Sequence, residues 1–151
     1  METILVYTVS YKLETMGIFD YFKPKYRHSD HEMRLEGLEK LEDDAILLDM
    51  ALNDVEKKVR LAAFEKISHP GYFPLIAVRS HDEDIRKEAF NRINDCEDFA
   101  QVAKLSHDEH TQKKAIHEIN TIHILENLKQ DMDHSMHPEI EKRIEKISRE
   151  R

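Results

Sequence analysis

Apolar residues recur along this chain at the spacing of one helix face. In the segment 56–67 they stand at Val59, Ala63, Phe64 and Ile67, offsets that place all four on one side of an α-helix. Short breaks rich in Asn, Asp, Ser, Pro and Gly separate such segments and are typical of helix ends. We predict first helices at 30–41, 56–67, 82–93, 108–119 and 138–148, and second helices at 44–52, 72–79, 97–105 and 121–130.

The same pattern returns every 26 residues. Two series illustrate the period, a large one at Leu38, Phe64, Phe90 and Ile116 and a small one at Gly37, Ala63, Ala89 and Ala115. A fixed period of this kind is typical of arrays in which each helical pair buries its apolar face against the next pair. We therefore predict an all-α solenoid of short helical hairpins, with four full units and a partial fifth unit that carries Ile144 and Ile147.

The repeat predicts the domain organisation. Residues 28–151 form the repeat domain. Ahead of it, Ile18, Phe19 and Phe22 lie on one face of a predicted helix at 16–27, where they are suited to cover the first unit. For residues 1–15 we expect an extension with little structure.

The unit from Asp82 to Ile93 carries the motif acid, apolar-Arg pair, small-large pair and closing apolar residue, and 54–67 repeats it closely. This motif resembles the first helix of a HEAT repeat, above all the short HEAT-like repeats of small prokaryotic proteins, and is also similar to the leucine-rich repeat variant. The resemblance covers about residues 28–131, with a period shorter than the usual HEAT length of about 40 residues. It implies a right-handed α-solenoid that serves as an interaction module.

Composition and charge narrow the class further. The chain has 151 residues, which suits one domain. Its net charge of −8 argues against general binding to nucleic acid or to an anionic membrane. No apolar run reaches the roughly 18 residues that a bilayer requires, and Cys96 is the single cysteine. We expect a cytoplasmic monomer.

Catalysis is not indicated by the candidate motifs. Deoxyhypusine hydroxylase, a HEAT-repeat enzyme, binds iron through His-Glu pairs that follow the apolar-Arg dipeptide, whereas His31–Glu32 and His117–Glu118 stand elsewhere in their units. The triplets 80–82 and 106–108 read Ser-His-Asp, but chain neighbours do not have triad geometry, and we interpret them as helix-start loops. Accordingly we expect no enzymatic activity and no cofactor. For the series Arg34, Arg60 and Arg86 we expect ion pairs with acids of the same or the next unit, and the alternative is that the series binds an anion.

The second helices supply the candidate docking residues, because in HEAT-type stacks they line the concave face. We assign a protein partner to the surface of Asp49, Leu75, Val78, Arg79, Gln101 and Lys104. Leu75 and Val78 are apolar where their repeat equivalents are polar or mixed, which favours docking, although packing in the core is the alternative. Residues 28–53 carry two basic and eight acidic residues, which suits either a basic partner segment or a solvated surface.

Histidines support a second hypothesis. Six of the ten lie between 107 and 137. His107 and His110 stand at the start of one first helix, and His134 and His137 at the start of the next. With successive units about 10 Å apart, four imidazoles could hold one Zn²⁺. The alternative function is therefore a metal-binding protein, while the competing interpretation is a set of polar loop residues without a ligand.

Overall fold

The computed structural model describes residues 23–150, which form nine α-helices and three 3-10 turns without a β-strand. The 3-10 turns are Lys25–Arg27, Pro70–Tyr72 and His134–Met136. The helices are α1 (His31–Glu39), α2 (Asp44–Asn53), α3 (Lys57–Lys66), α4 (Phe73–Arg79), α5 (Glu83–Asn91), α6 (Cys96–Leu105), α7 (Glu109–Glu118), α8 (Ile122–Asp131) and α9 (His137–Arg149). Each begins and ends within two residues of a predicted helix, so the all-α class is confirmed. The predicted extension 1–15 and residues 16–22 of the predicted capping helix lie outside the described residues.

Aspartates begin many of these helices. The side chains of the N-cap residues Asp30, Asp43, Asp95 and Asp108 accept hydrogen bonds from backbone N–H groups in the first turn of their helices. These N–H groups have no partner inside the helix, and a carboxylate also complements the positive end of the helix dipole. Of the acids that open the repeat units, Asp30 and Asp108 therefore have a local structural role as caps, whereas the side chain of Asp82 makes no capping hydrogen bond.

The described chain consists of two compact units. The first ends at Lys66 and the second begins at Ile67. The sequence predicts one repeat domain, but the division falls just ahead of the break 68–71, which contains Pro70 and Gly71. Proline and glycine interrupt helices. The connection that contains this break, between α3 and α4, is longer than the other connections between the described helices.

In the first unit α3 packs against both α1 and α2. The turn Lys25–Arg27 lies on α1, where a Cβ atom added to Gly37 would stand 2.4 Å from the backbone N of Tyr26. Glycine is therefore required at this member of the small series, because the backbone of the turn occupies the place of a side chain. The buried apolar residues of the first unit are Leu38, Leu47, Met50, Ala51, Val59, Ala63 and Phe64.

In the second unit helices pack both against neighbours along the chain and against helices two positions along. The packed pairs are α4·α5, α6·α7 and α8·α9 between neighbours, and α4·α6, α6·α8 and α7·α9 between alternate helices. The apolar series lie inside, since Phe64 in the first unit is 0% exposed and Phe90 in the second is 7% exposed. The repeat pattern thus marks core positions, as predicted.

The phase of the hairpins differs from the prediction. We expected each first helix to pair with the second helix that follows it, as α5 with α6. Instead the most extensive contacts join a second helix to the next first helix, as α2 with α3, α4 with α5 and α6 with α7. The three-residue connections 54–56, 80–82 and 106–108 join the two helices of each pair. Hydrogen bonds within these connections hold each pair together.

Candidate functional site

A side chain from the residue that opens each connection folds back onto it. The acceptors are repeat equivalents, and each takes the backbone N–H two residues ahead: His28 from Asp30 (3.1 Å), Asp54 from Glu56 (2.9 Å), Ser80 from Asp82 (3.3 Å) and Ser106 from Asp108 (3.1 Å). Such turns compete with helical hydrogen bonding and stop the preceding helix. The Ser-His-Asp triplets at 80–82 and 106–108 are two of these turns.

The periodic arginines close the same connections. Each donates from Nη1 to the carbonyl oxygen six residues earlier: Arg34 to His28 (2.9 Å), Arg60 to Asp54 (2.7 Å) and Arg86 to Ser80 (2.7 Å). In the fourth repeat unit Gln112 makes the equivalent bond from Nε2 to the carbonyl oxygen of Ser106 at 2.8 Å. The shared partner of the series is thus the main chain, whereas we had predicted carboxylates.

Arg34 has the predicted acidic partner as well. Its Nε and Nη2 donate to the two carboxylate oxygens of Asp54 at 2.7 and 2.8 Å, and the two side chains are only 10% and 8% exposed. The bond to Asp54 raises the pKa of Arg34 above its ordinary value. A bidentate pair with so little exposure holds both groups in one geometry.

The second unit contains a cleft of about 350 Å³ around the repeat equivalent of Arg34, which we call the Arg86 cleft. Helices α4, α5 and α7 and the connection before α7 contribute to its wall. The lining residues that matter for binding chemistry are Val78, Arg86, Phe90, Ser106, Thr111 and Lys114. The cleft thus combines apolar, cationic and hydroxyl side chains.

One cationic side chain lies over an aromatic ring in this cleft. The Nζ of Lys114 lies 4.1 Å from the centroid of the Phe90 ring, within the range of a cation–π contact. A second ring, Phe99, supports Phe90 at a centroid distance of 5.3 Å. The Phe90 ring is therefore in contact both with the ring of Phe99 and with the charged amino group of Lys114.

The two acids of the Arg86 cleft have other partners. Glu83 pairs with Lys87 at 2.6 Å, which lowers the pKa of Glu83. Asp108 accepts hydrogen bonds from the hydroxyl of Thr111 at 2.7 Å and from its backbone N–H at 2.8 Å, which lower the pKa of Asp108. Within residues 23–150 no carboxylate forms an ion pair with Arg86.

The predicted docking residues fall into different environments. Asp49, Arg79, Gln101 and Lys104 are exposed, whereas Leu75 and Val78 are half-buried. Val78 lines the Arg86 cleft, and Lys104 pairs with Asp131 at 3.2 Å. Asp49 belongs to the first unit, where it lines a separate cleft of about 410 Å³.

Several acids of the segment 28–53 have partners within the chain. Asp49 accepts a hydrogen bond from Asn53 at 2.8 Å, Asp43 caps α2, and Asp30 caps α1. Both interpretations offered for this segment remain predictions, but these three carboxylates already have intramolecular partners.

Phe90 and Lys114 were not predicted from the sequence as lining residues of one cleft, and Phe90 was interpreted as core alone. Arg86 was predicted as a member of an ion-pair ladder, with anion binding by the arginine series as the alternative. The sequence carries one relevant difference, because the residue 20 positions on is Asp54 after Arg34 but Ser80 after Arg60 and Ser106 after Arg86. That difference separates Arg34 from the other two arginines and does not by itself identify Arg86.

The histidines separate into distinct places. His134 and His137 approach each other, with 3.3 Å between their Nδ1 atoms, while His107 is exposed and His110 lines the Arg86 cleft. In the described ranges no three His, Cys, Asp or Glu side chains are grouped so as to hold a metal ion. The predicted four-histidine zinc site is therefore not assembled there, because its two halves face different surroundings.

No family model, curated protein or solved structure matches this chain. None of the helices in residues 23–150 has both the length and the apolar character that crossing a bilayer requires. Function has to be argued from the chemistry of the site, since an all-helical fold is compatible with many functions.

Proposed function

We propose that this protein is a non-catalytic protein-interaction module, built from short HEAT-like repeats in a right-handed α-solenoid. The 26-residue period supports the proposal, and so does the packing of alternate helices inside each unit. Helices of seven to thirteen residues are marginal alone in water and depend on packing against neighbours. Repeat arrays of this kind present surfaces to partners and need no catalytic group.

The Arg86 cleft is the observation that carries the proposed binding role. It places the apolar side chain of Val78 and the ring of Phe90 beside the cations of Arg86 and Lys114. Aromatic and arginine side chains in a partly desolvated concavity are enriched among residues that contribute most to protein–protein affinity. A partner that inserts an apolar side chain there would bury area next to fixed polar groups.

A capture experiment followed by reconstitution tests this role. Tagged full-length protein and its Val78→Asp variant would be used to recover partners, which are then purified and titrated by calorimetry. A charge on the apolar wall should weaken binding about tenfold or more. Val55→Asp is the matched control, because Val55 is 88% exposed on the connection between α2 and α3.

Folding has to be verified because Val78 is half-buried. Lys114→Glu serves as a second variant at an exposed position of the same cleft. Equal affinity of the wild type and both cleft variants would remove the Arg86 cleft as the docking site.

A second candidate is metal binding by the pair His134 and His137. Their Nδ1 separation of 3.3 Å is close to that of two nitrogen ligands on one tetrahedral Zn²⁺ with bonds of about 2.0–2.1 Å. The Nε2 of His137 lies 3.3 Å from the carbonyl oxygen of Met132. Donation to that carbonyl would leave Nδ1 unprotonated, as metal ligands require.

Zinc titration of the full chain separates this candidate from the interaction module. If it is correct, calorimetry will give stoichiometric binding that His137→Ala abolishes and that His107→Ala, at an exposed position outside the pair, leaves intact. Absence of stoichiometric binding, or retention of binding in His137→Ala, would dismiss it.

A further inference from the structure

Arg34 and Arg86 are repeat equivalents separated by two periods, and their main-chain anchors match. Each donates from Nη1 to the carbonyl oxygen six residues before it, at 2.9 Å for Arg34 and 2.7 Å for Arg86. This anchor restricts the orientation of the planar guanidinium group. The remaining edge, formed by Nε and Nη2, is therefore presented to whatever stands opposite it.

The residue 20 positions after the arginine differs between Arg34 in the first unit and Arg86 in the second. For Arg34 it is the carboxylate of Asp54, 20 residues further on, which takes both donors of the edge. The residue 20 positions after Arg86 is Ser106. The Oγ of Ser106 accepts a hydrogen bond from the backbone N–H of Asp108 at 3.1 Å. Arg86 and Ser106 line the same cleft, so the place filled by a carboxylate in the first unit opens to a ligand in the second.

From this substitution within the repeat we infer that the Arg86 cleft receives a carboxylate side chain, an aspartate or glutamate of the protein partner. The inference rests on the proposed interaction role and names the chemistry that the partner must offer. Two parallel N–H groups fit the two oxygens of a carboxylate, as Asp54 demonstrates within this chain.

The surroundings of Arg86 suit such a group. Arg86, Lys87 and Lys114 are three cations, against the two acids Glu83 and Asp108, so the cleft retains a positive excess although the whole chain has a net charge of −8. The apolar Val78 and Phe90 complete the wall. The favoured ligand is consequently an acidic residue with an apolar neighbour.

Two short capped peptides test the inference on the isotope-labelled full chain. One contains glutamate between two leucines, and the other contains glutamine in the same place. NMR titration would follow the Nε–Hε signal of Arg86 together with the backbone signals of α5 and α7. We expect saturable shifts with the glutamate peptide and affinity lower by about tenfold with the glutamine peptide, because a charge-assisted pair is lost.

The chain supplies matched variants. Arg86→Gln should keep the main-chain anchor, since Gln112 makes that bond to Ser106 in its own unit, but lose the second edge and weaken the glutamate peptide about tenfold. Ser106→Asp restores the residue found at position 54 and should exclude the peptide by pairing with Arg86. Arg149→Gln removes an exposed guanidinium that pairs with Glu145 and should leave binding unchanged.

Each outcome decides the matter. Equal binding of the two peptides, or undiminished binding by Arg86→Gln, would overturn the inference. Inorganic phosphate that binds through Arg86 more tightly than the glutamate peptide would also overturn the assignment of a carboxylate. If the partner is lost by Val78→Asp but retained by Arg86→Gln, the interaction role survives and the carboxylate site is rejected.

Discussion

Arg34 in the first unit and Arg86 in the second begin from the same repeat position and end in different roles. Both hold the preceding connection through a carbonyl six residues back. Arg34 also binds Asp54 in a pair that is almost closed to solvent, whereas Arg86 and Ser106 line the same cleft. The residue 20 positions further on is thus an acid that pairs with the arginine in the first unit and a serine in the second.

The comparison shows how a repeat separates fold from function. The main-chain bond is kept in every full unit, even where Gln112 replaces arginine, because it closes the connection on which helix packing depends. The outer edge of the guanidinium is not needed for that purpose, so its partner can change without loss of the fold.

The largest effect is expected for Asp54→Ser, which gives the first unit the residue of the second. Serine can still accept the N–H of residue 56, as Ser80 and Ser106 accept theirs, but Arg34 loses its ion pair while 10% exposed. An unpaired buried charge should lower the free energy of unfolding by about 3 kcal/mol. Hydrogen exchange of the slowest amides in residues 31–66 measures this loss.

Asp49→Ser is the control for that variant, because Asp49 is exposed and bonds only locally to Asn53. A loss at Asp54→Ser no greater than the loss at Asp49→Ser would mean that the buried pair does not stabilise the first unit.

The next effect concerns Gly37, the one glycine in a small series whose other members are alanines. Gly37→Ala would place Cβ 2.4 Å from the N of Tyr26 and 2.8 Å from the carbonyl carbon of Lys25. Since the obstacle is backbone, the turn 25–27 must shift, at a cost of about 2 kcal/mol. Thermal unfolding by circular dichroism checks the change, and a stabilised variant would contradict the tight fit.

Ser106→Asp should have a smaller effect of opposite sign. The new carboxylate can pair with Arg86 as Asp54 does with Arg34, but Arg86 is more exposed than Arg34, so we expect a gain of about 0.5–1 kcal/mol in the free energy of unfolding. Urea denaturation of the single variant and of Ser106→Asp with Arg86→Gln measures it. A gain that persists in the double variant would not come from the pair.

The smallest effect is a change in titration at the start of α7. The Thr111 hydroxyl and backbone N–H hold the pKa of Asp108 below its ordinary value. The stabilisation this carboxylate provides is present above its ordinary pKa and is lost as the pH falls through the lowered pKa. At the equivalent start of α1 the position of Thr111 is Met33, so the first unit lacks this hydroxyl donor.

Thr111→Val should raise the pKa of Asp108 towards its ordinary value, as measured by the carboxyl ¹³C shift against pH. Thr121→Val, which removes a hydroxyl that bonds to Asn120, is the control. An identical Asp108 titration in wild type and Thr111→Val would show that the hydroxyl is not responsible.

Much of the secondary structure could be predicted, but less of the site. The spacing of Val59, Ala63 and Phe64 predicts both a helix and its buried face, because side-chain periodicity is a local property. The roles of Arg86 and Phe90 as lining residues were not predicted, since a cleft depends on helices distant in the sequence. The separation of the four predicted histidines depends on the same long-range packing, since His110 lines the Arg86 cleft and His137 contacts His134.

By itself, the sequence determined the nine described helices, their capping aspartates and the apolar series that form the core, because these follow from the order of side chains along one turn. Only the tertiary structure decided which helices pair, where the chain divides into two units, and which arginine keeps an edge open. Those features depend on contacts between helices that are distant in the sequence, such as the bidentate pair of Arg34 with Asp54, and the order of side chains along one helix does not specify such contacts.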